Sequence, residues 1–576
     1  MKENSTDSEL SAILGEHNSL RNIGAFRMCC KPTYQMRRLK NKGAILVLFW
    51  NYLVMSVFYF LSKYLEYGYS YGIWLLVFGL SLPIAGWLAD TYIKRYKVVH
   101  YSIWIMWAAT VLVTVSSVIA QLDVSYYHIN TEVAKVLFCF MAIGLGGFQA
   151  NIIQFGVDQL HDASTTEITS FIIWYVWTLL SAGIVVNFTF TCLNEQHLLF
   201  RSLLIVINLS LVLVSLFCCD HSYWLVKEPA IVQDPFKLVY RVIRYAIVNK
   251  YPRHRSAFTY CEDELPTRID FGKSKYGGPF KVEQVEDVKT FLRILPFFIV
   301  VGVLMSEVIL VNYFRDQLSK LFAPFSESDN EYAISSESKA LLSKCYSEAS
   351  FTHTIYFSST VLIVLHEVIL YPVFHKCLPQ IKSVQKLIIG TLLQLARVIS
   401  LIAIEVISRQ TSIRIYGHNE TIQCVFYDNQ AGALSTSFNY YWMAIPDFLQ
   451  SISLLFFYVG GIEFACAQVP YSMKGLLFGV GYGTVFIAGA IGVVISLPFQ
   501  KRLSVWGTGT ISCGFGYAVL ALSVEVIGSV TLVLLARFYK KRKRQDLLPN
   551  EHIFAEKYYS TTVSYTHLTL PTNREV

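Results

Sequence analysis

The feature that most constrains this chain is a series of apolar runs that recurs along nearly its whole length. A helix of about 20 apolar residues crosses the hydrocarbon core of a bilayer. In lipid, the backbone groups of a span must bond internally, as they do in a helix. The runs therefore predict an all-α membrane protein with about twelve spanning helices, at 44–63, 71–91, 98–120, 133–156, 168–189, 199–219, 291–314, 353–374, 384–408, 440–466, 475–498 and 513–538.

The composition excludes an ordinary soluble protein. Of the 576 residues, 54% are hydrophobic and 15% are charged, whereas soluble chains carry roughly 25% charged residues. The net charge of +8 does not indicate nucleic acid, because basic residues cluster beside apolar runs, in 37-RRLKNK-42, 94-KRYK-97 and 540-KKRKR-544. Such clusters mark the cytoplasmic flanks of spans. We therefore expect the lipid bilayer as a partner, no nucleic acid, and, since the 12 cysteines lack metal-type spacing, no metal or cofactor.

The spans form two groups of six around a long polar stretch. An even number of spans puts both termini on one side, and the terminal basic clusters predict that this side is the cytoplasm. The predicted order is a cytoplasmic tail 1–43, a six-helix bundle 44–219, a cytoplasmic linker 220–290, a second six-helix bundle 291–540 and a cytoplasmic tail 541–576. Residues 564–576, SYTHLTLPTNREV, resemble translated sequencing adapter, and we expect them not to belong to the natural protein. Asn419, in Asn-Glu-Thr within a loop on the opposite side, is a predicted glycosylation site.

A small and polar motif, 86-GWLADTYIKRYK-97, follows the second run. Gly86 lets two helices approach each other, Asp90 can cap a helix start, and Arg95 anchors the cytoplasmic face. The motif resembles the glycine–aspartate–basic loop of the major facilitator superfamily, although Lys94 stands where that superfamily has a glycine. In this fold two six-helix bundles surround a site near the membrane midplane.

Three longer stretches resemble the proton-dependent oligopeptide transporter family, and within it the lysosomal peptide/histidine branch. They are 143-IGLGGFQANIIQFGVDQL-160, 265-LPTRIDFGKSKYGGPFKVEQVEDVKTFLRILPFF-298 and 445-IPDFLQSISLLFFYVGGIEFACAQVPYSMK-474. The resemblance implies movement of di- and tripeptides or histidine with protons. It also implies gate or conformational roles for Gly86, Asp90, Arg95, Asp158, Arg293, Glu463 and Lys474.

The charged anchors that this family uses for a zwitterionic peptide are missing at the matching positions. Its first-helix Glu-x-x-Glu-Arg motif corresponds to the uncharged 46-LVLFWNYLV-54, which contains Trp50 and Asn51. Its fourth-helix lysine corresponds to Gln149, and its tenth-helix glutamate to Leu454. The resemblance therefore implies a transporter scaffold with a divergent substrate and proton site, so ordinary proton-coupled uptake of dipeptides is in doubt.

Other side chains at membrane depth are candidates for a substrate cavity. Glu307 and Arg397 either form a buried ion pair or supply substitute charges to the cavity, and both interpretations stay open. Trp50 and Trp174 are aromatic candidates, although aromatic residues also collect at membrane interfaces. The predicted cavity set is Trp50, Asn51, Gln149, Trp174, Glu307, Arg397 and Leu454.

The predicted function is secondary active transport of small peptides, histidine or a related nitrogenous solute by alternating access. The alternative is a non-transporting membrane scaffold or receptor on the same fold that presents a cytoplasmic surface to a protein partner. An enzyme is not expected, because the sequence has no nucleophile–base pairing, HExxH motif or phosphate-binding glycine loop.

Two segments outside the spans bear on location and partners. The stretch 9-ELSAIL-14 approximates an acidic dileucine sorting signal, and both an endolysosomal and a plasma membrane stay open. The stretch 235-DPFKLVYRVIRYAIVNK-251 alternates basic and apolar residues with helical spacing. It is either a helix lying on the cytoplasmic side or a solvated linker.

Overall fold

A computed structural model describes residues 41–65, 69–122, 127–160, 163–192, 198–220, 225, 234–249, 251, 266–321, 355–374, 381–416, 440–502 and 515–539. Within these residues twelve helices are long and apolar enough to span a membrane. We number them α1 (Lys42–Tyr64), α2 (Tyr69–Thr91), α3 (Arg95–Leu122), α4 (Tyr127–Asp158), α5 (Thr165–Cys192), α6 (Leu198–Asp220), α7 (Val282–Leu321), α8 (Ile355–Val373), α9 (Ser383–Tyr416), α10 (Ala444–Gln468), α11 (Lys474–Arg502) and α12 (Phe515–Phe538). The predicted all-α membrane fold is confirmed. Asn419, the stretch 9-ELSAIL-14 and residues 564–576 lie outside the described residues.

The helices pack as two bundles. In the first, α1 packs on α4, α5 and α6, and α4 also contacts α2 and α3. In the second, α7 packs on α11 and α12, while α9 contacts α10 and α12. Ser358 and Ser451 hydrogen-bond to join α8 to α10. The main contacts between the bundles are those of α2 with α11, α4 with α11 and α5 with α10.

A short helix between the bundles, Pro235–Val248, is the linker helix. Leu238, Val242 and Ala246 recur at four-residue intervals and form its buried face. Asp234 caps its first turn, because its carboxylate accepts from the amides of Phe236 (3.1 Å) and Lys237 (3.4 Å). The same carboxylate accepts a bond from the Trp87 indole nitrogen of α2 at 3.3 Å. These bonds place the linker helix at one end of the bundles, which we call the linker end.

Helix α7 begins at Val282, although the apolar run predicts a start at 291. Its first turns are charged, but the charges are paired with the loop before the helix. Lys289 Nζ lies 2.8 Å from Asp270 Oδ1, and Lys273 bonds both Asp270 and Glu286. Burial alone would raise the pKa of Asp270, but hydrogen bonds from the two lysines lower it well below its usual range. Pairing therefore lets a polar segment continue a spanning helix. The predicted domain boundaries stay predictions.

Candidate functional site

A cavity of about 120 Å³ lies between the two bundles. The first bundle contributes side chains from α1, α2, α4 and α5, and the second contributes them from α7, α9, α10 and α11. Its walls are mainly aromatic and aliphatic, and they include Phe58, Phe78, Gln149, Phe297, Phe457 and Tyr482. Sites that bind small molecules are mostly apolar with a few placed polar groups. The central cavity is therefore the candidate binding site.

No residue that the structure places in the cavity wall carries a charge. The polar groups of the wall are Gln149 and the hydroxyls of Tyr59, Tyr458 and Tyr482. Gln149, which is 3% exposed, donates from Nε2 to the Tyr175 hydroxyl at 2.7 Å. Its Oε1 atom is buried and has no hydrogen-bond partner. The cavity thus presents hydrogen-bonding groups in an uncharged, aromatic surrounding.

Two of the predicted cavity residues on α1 lie inside the first bundle instead of in the cavity wall. Trp50 is fully buried, and its indole nitrogen donates to Ser215 on α6 at 2.6 Å. Asn51 is also fully buried and donates from Nδ2 to the Thr178 hydroxyl on α5 at 2.8 Å. In this structure both side chains therefore hold helices of one bundle together.

Three further predicted residues, Trp174, Leu454 and Arg397, also lie away from the cavity wall. Trp174 packs edge-on against Trp177 with ring centroids 5.8 Å apart. Leu454 and Arg397 are buried on α10 and α9, and neither lines the cavity. Glu307 belongs to α7, but its side chain lies outside the described residues. Its pairing with Arg397 therefore stays a prediction.

The linker end holds a second arrangement that joins the two bundles. Asp90, at the end of α2, accepts hydrogen bonds from the backbone amides of Gly475 (3.1 Å) and Leu476 (2.8 Å) in the first turn of α11. The first amides of a helix lack partners within it, and the helix dipole favours an anion there. The carboxylate of one bundle thus caps a helix of the other.

Two cations extend this arrangement into a network. Arg95 bonds Asp90 at 3.2 Å and Asp158 of α4 at 2.6 Å. Lys474, at the start of α11, lies 3.5 Å from the second oxygen of Asp158. The side chains of Asp90 and Arg95 are 2% and 8% exposed, so the bonds are shielded from water. We call Asp90, Arg95, Asp158 and Lys474 the linker-end latch.

Glycine allows the two bundles to touch beneath the latch. A Cβ atom on Gly86 would overlap the carbonyl oxygen of Gly475. Further along α11, a Cβ on Gly479 would meet the carbonyl of Leu82, and one on Gly483 would lie 2.7 Å from the carbonyl of Gly79. Small residues at four-residue spacing let helix backbones approach closely. This glycine seam closes the linker end without large interlocking side chains.

Two residues that the resemblance assigns to the gate lie elsewhere. The Glu463 carboxylate receives bonds from Lys386 Nζ at 2.7 and 2.8 Å, which join α10 to α9 within the second bundle. Arg293 is exposed on α7. In this structure neither side chain bonds to the latch.

Sequence reasoning missed two polar contacts. Ser170 of α5 donates to Glu367 of α8 at 2.9 Å, across the two bundles. Arg315 of α7 makes a two-pronged pair with Asp447 of α10, at 2.6 and 2.5 Å, and both side chains are buried. The apolar run of α7 ends at 314, one residue before Arg315, so hydropathy gave no signal for the cation. A π-helical stretch at Leu365–Leu370 surrounds Glu367, and hydropathy does not detect such stretches.

Comparisons with known proteins agree with this architecture. A family model described as the POT family matches residues 96–511. Mouse solute carrier family 15 member 3 is 22% identical, over 81% of this chain and 83% of the relative. Human solute carrier family 15 member 5 is 22% identical over a shorter region, 37% of each chain.

Solved structures resemble the fold. The crystal structure of an autoinhibited POT family peptide transporter gives a TM-score of 0.56 at 14% identity, covering 88% of this chain and 99% of the other. A POT family transporter in complex with 5-aminolevulinic acid gives a TM-score of 0.51 at 13% identity, covering 88% and 98%. These likenesses establish the fold, and the family match covers well over half of the sequence. The chain is therefore a member of the POT family.

Proposed function

We propose that this protein is a secondary transporter that moves a small peptide, histidine or a related nitrogenous solute across a membrane by alternating access. The observation that carries the proposal is a central cavity bounded by two bundles that hydrogen bonds and an ion pair join at the linker end. Hydrogen bonds, ion pairs and glycine contacts can separate as one rigid body rocks against the other. Membership of the POT family and the peptide transporters among its solved relatives support the same function.

In this proposal the linker end faces the cytoplasm, together with both termini. The basic flanks 37-RRLKNK-42 and 540-KKRKR-544 support that orientation. The latch then acts as the cytoplasmic gate. It holds when the cavity exchanges with the opposite side, and it opens when the solute is released into the cell.

Aromatic contacts provide a counterpart at the other end of the cavity. Tyr59 of α1 and Tyr356 of α8 meet edge-on across the bundles with ring centroids 5.4 Å apart. Phe78 of α2 and Phe486 of α11 lie 4.4 Å apart beside the cavity. A transporter needs contacts on both sides of its site that break in turn, and this chain has candidates for both.

Proton coupling through the cavity has little support. A coupling proton needs a carboxylate or a histidine that meets both the solute and the gate, and the described wall contains neither. The alternative function, a non-transporting scaffold or receptor, is less well supported, because it does not need a cavity with contacts at both ends. We place the protein in an endolysosomal or plasma membrane.

The test is uptake by the purified chain in liposomes. Labelled histidine, dipeptides and a panel of small nitrogenous solutes are offered with and without an inward proton gradient. We expect uptake of at least one solute above that of protein-free liposomes. The absence of uptake for the whole panel would contradict the transporter function, while gradient-independent uptake would exclude obligatory proton coupling and leave transport intact.

A further inference from the structure

The chemistry of the central cavity specifies a class of solute more narrowly than the family does. A zwitterionic peptide or amino acid brings one cation and one anion into the site. Each charge loses its hydration there, and that loss must be offset by a partner of opposite charge. The described wall contains no such partner, because its residues are aromatic, aliphatic, glycine, tyrosine and one glutamine.

Two charged residues that adjoin the cavity wall in the sequence of α9 and α10 pair with each other. Lys386 and Glu463 are sequence neighbours of the wall residues Leu387 and Ile462, but both oxygens of the carboxylate are bonded to the ammonium group. Their side chains are 18% and 13% exposed. An ion pair closed in this way presents almost no net field to a solute, so it does not replace the missing anchors.

One polar group in the wall points to a specific kind of ligand. Gln149 Nε2 already donates a hydrogen bond to the Tyr175 hydroxyl. Gln149 Oε1 is a buried acceptor that has no hydrogen-bond partner among the described residues. A buried acceptor without a bond is costly, and a ligand that donates an N–H removes that cost. The surrounding rings, among them Phe58, Phe78 and Phe457, favour an aromatic group on the same ligand.

We infer that the cavity binds an uncharged aromatic amide, whose N–H donates to Gln149 Oε1, in preference to a zwitterion of the same size. The inference rests on the proposed transport function and narrows its solute class. The same inference explains why this chain lacks the cation, the anion and the proton site that the family has at the corresponding positions. A neutral solute requires none of them.

The test compares two probes that share an aromatic ring and differ in charge. Calorimetry measures binding of 3-phenylpropanamide, which is neutral, and of phenylalanine, which is zwitterionic, to the purified full chain in lipid nanodiscs. We expect the amide to bind at least about ten times more tightly, since the charges of phenylalanine find no partners in the wall. We expect Gln149→Leu to weaken amide binding by about fivefold, as for one neutral hydrogen bond.

Gln450→Leu is the matched control, because Gln450 is a buried glutamine of α10 that does not line the cavity. Gln450→Leu should leave the affinity for the amide unchanged. Before binding is measured, both variants must give the same size-exclusion elution profile as the parent. Equal or tighter binding of phenylalanine would overturn the inference, as would no binding of the amide or an equal effect of the two substitutions. None of these outcomes touches the proposed transport function, which fails only if the whole liposome panel is not taken up.

Discussion

The latch predicts how one carboxylate controls the separation of the bundles. Asp90→Asn keeps the shape of the side chain and removes its charge. The carboxylate is buried and accepts three bonds, from Gly475 and Leu476 of the other bundle and from Arg95. Bonds to a charged group contribute about 1.5–3 kcal/mol and neutral ones about 0.5–1.5 kcal/mol, and the charge at a helix start adds about 0.3–1 kcal/mol.

The substitution should therefore weaken closure of the linker end by about 2–3 kcal/mol, which shifts the equilibrium between closed and open linker ends roughly 30- to 150-fold. The assay is electron-spin distance measurement between labels at Lys97 on α3 and Arg537 on α12. Both side chains are exposed and belong to different bundles. We expect Asp90→Asn to increase the fraction of molecules in which the two labels are farther apart.

Glu463→Gln is the matched control for this measurement. It makes the same acid-to-amide change in an ion pair that stays within one bundle, between Glu463 and Lys386. The label distance should remain that of the parent. The reasoning is refuted if Asp90→Asn leaves the distance distribution unchanged, or if Glu463→Gln alters it as strongly.

Three further predictions follow from other contacts. Arg315→Leu or Asp447→Leu alone should lower stability by about 3–5 kcal/mol, because each breaks the buried ion pair between these two side chains. The double variant should unfold closer to the parent in a thermal scan, and additive losses would contradict the pairing. Gly86→Ala should shift the spin-label distance as Asp90→Asn does, since the added Cβ would overlap the backbone of α11. Gly72→Ala should be tolerated, because its Cβ would meet only a side-chain methyl at 3.4 Å. Equal effects of the two substitutions on the distance would count against the glycine seam. Because the pKa of Asp270 is lowered in the folded chain, its stabilising contribution is complete above about pH 4 and is lost only as the pH falls further. Protease resistance of the linker should therefore be the same at pH 7 and pH 5 in the parent, and it should be lower at both pH values in Asp270→Asn. A loss of resistance in the parent on going from pH 7 to pH 5 would contradict the pairing.

The fold could be predicted well from the sequence, because a spanning helix must be apolar over the full thickness of the bilayer core. Hydropathy and the length of each apolar run report that requirement directly. Eleven of the predicted spans start within about a turn or two of the observed helices, since boundary residues are weakly specified. The start of α7 differed because Asp270 and Lys273, which neutralise its charged first turns, precede it in the chain and pair with it only in three dimensions. No local pattern reports such pairing.

The candidate site was partly predictable. The resemblance named Asp90, Arg95, Asp158 and Lys474, and the structure brings these four together. The partners of Asp90 in α11 are backbone amides, which a search for charged motifs does not reveal.

The cavity itself was harder to predict. Of the predicted set, Gln149 lines it, whereas Trp50 turns to Ser215 within its own bundle. When a spanning helix is apolar on every side, its sequence does not indicate which face contacts lipid, which packs on a neighbouring helix and which lines the cavity. Only the packing of the two bundles decides that.

The most direct test of the account is to follow solute and protons together in one preparation. Liposomes containing the purified chain and an internal pH dye receive labelled 3-phenylpropanamide, with initial rates compared against protein-free liposomes and against Gln149→Leu. The account predicts protein-dependent entry that is slower in Gln149→Leu, proceeds without a proton gradient and causes no internal acidification. Entry that requires an inward proton gradient and acidifies the interior, or entry no faster than through lipid alone, would contradict it.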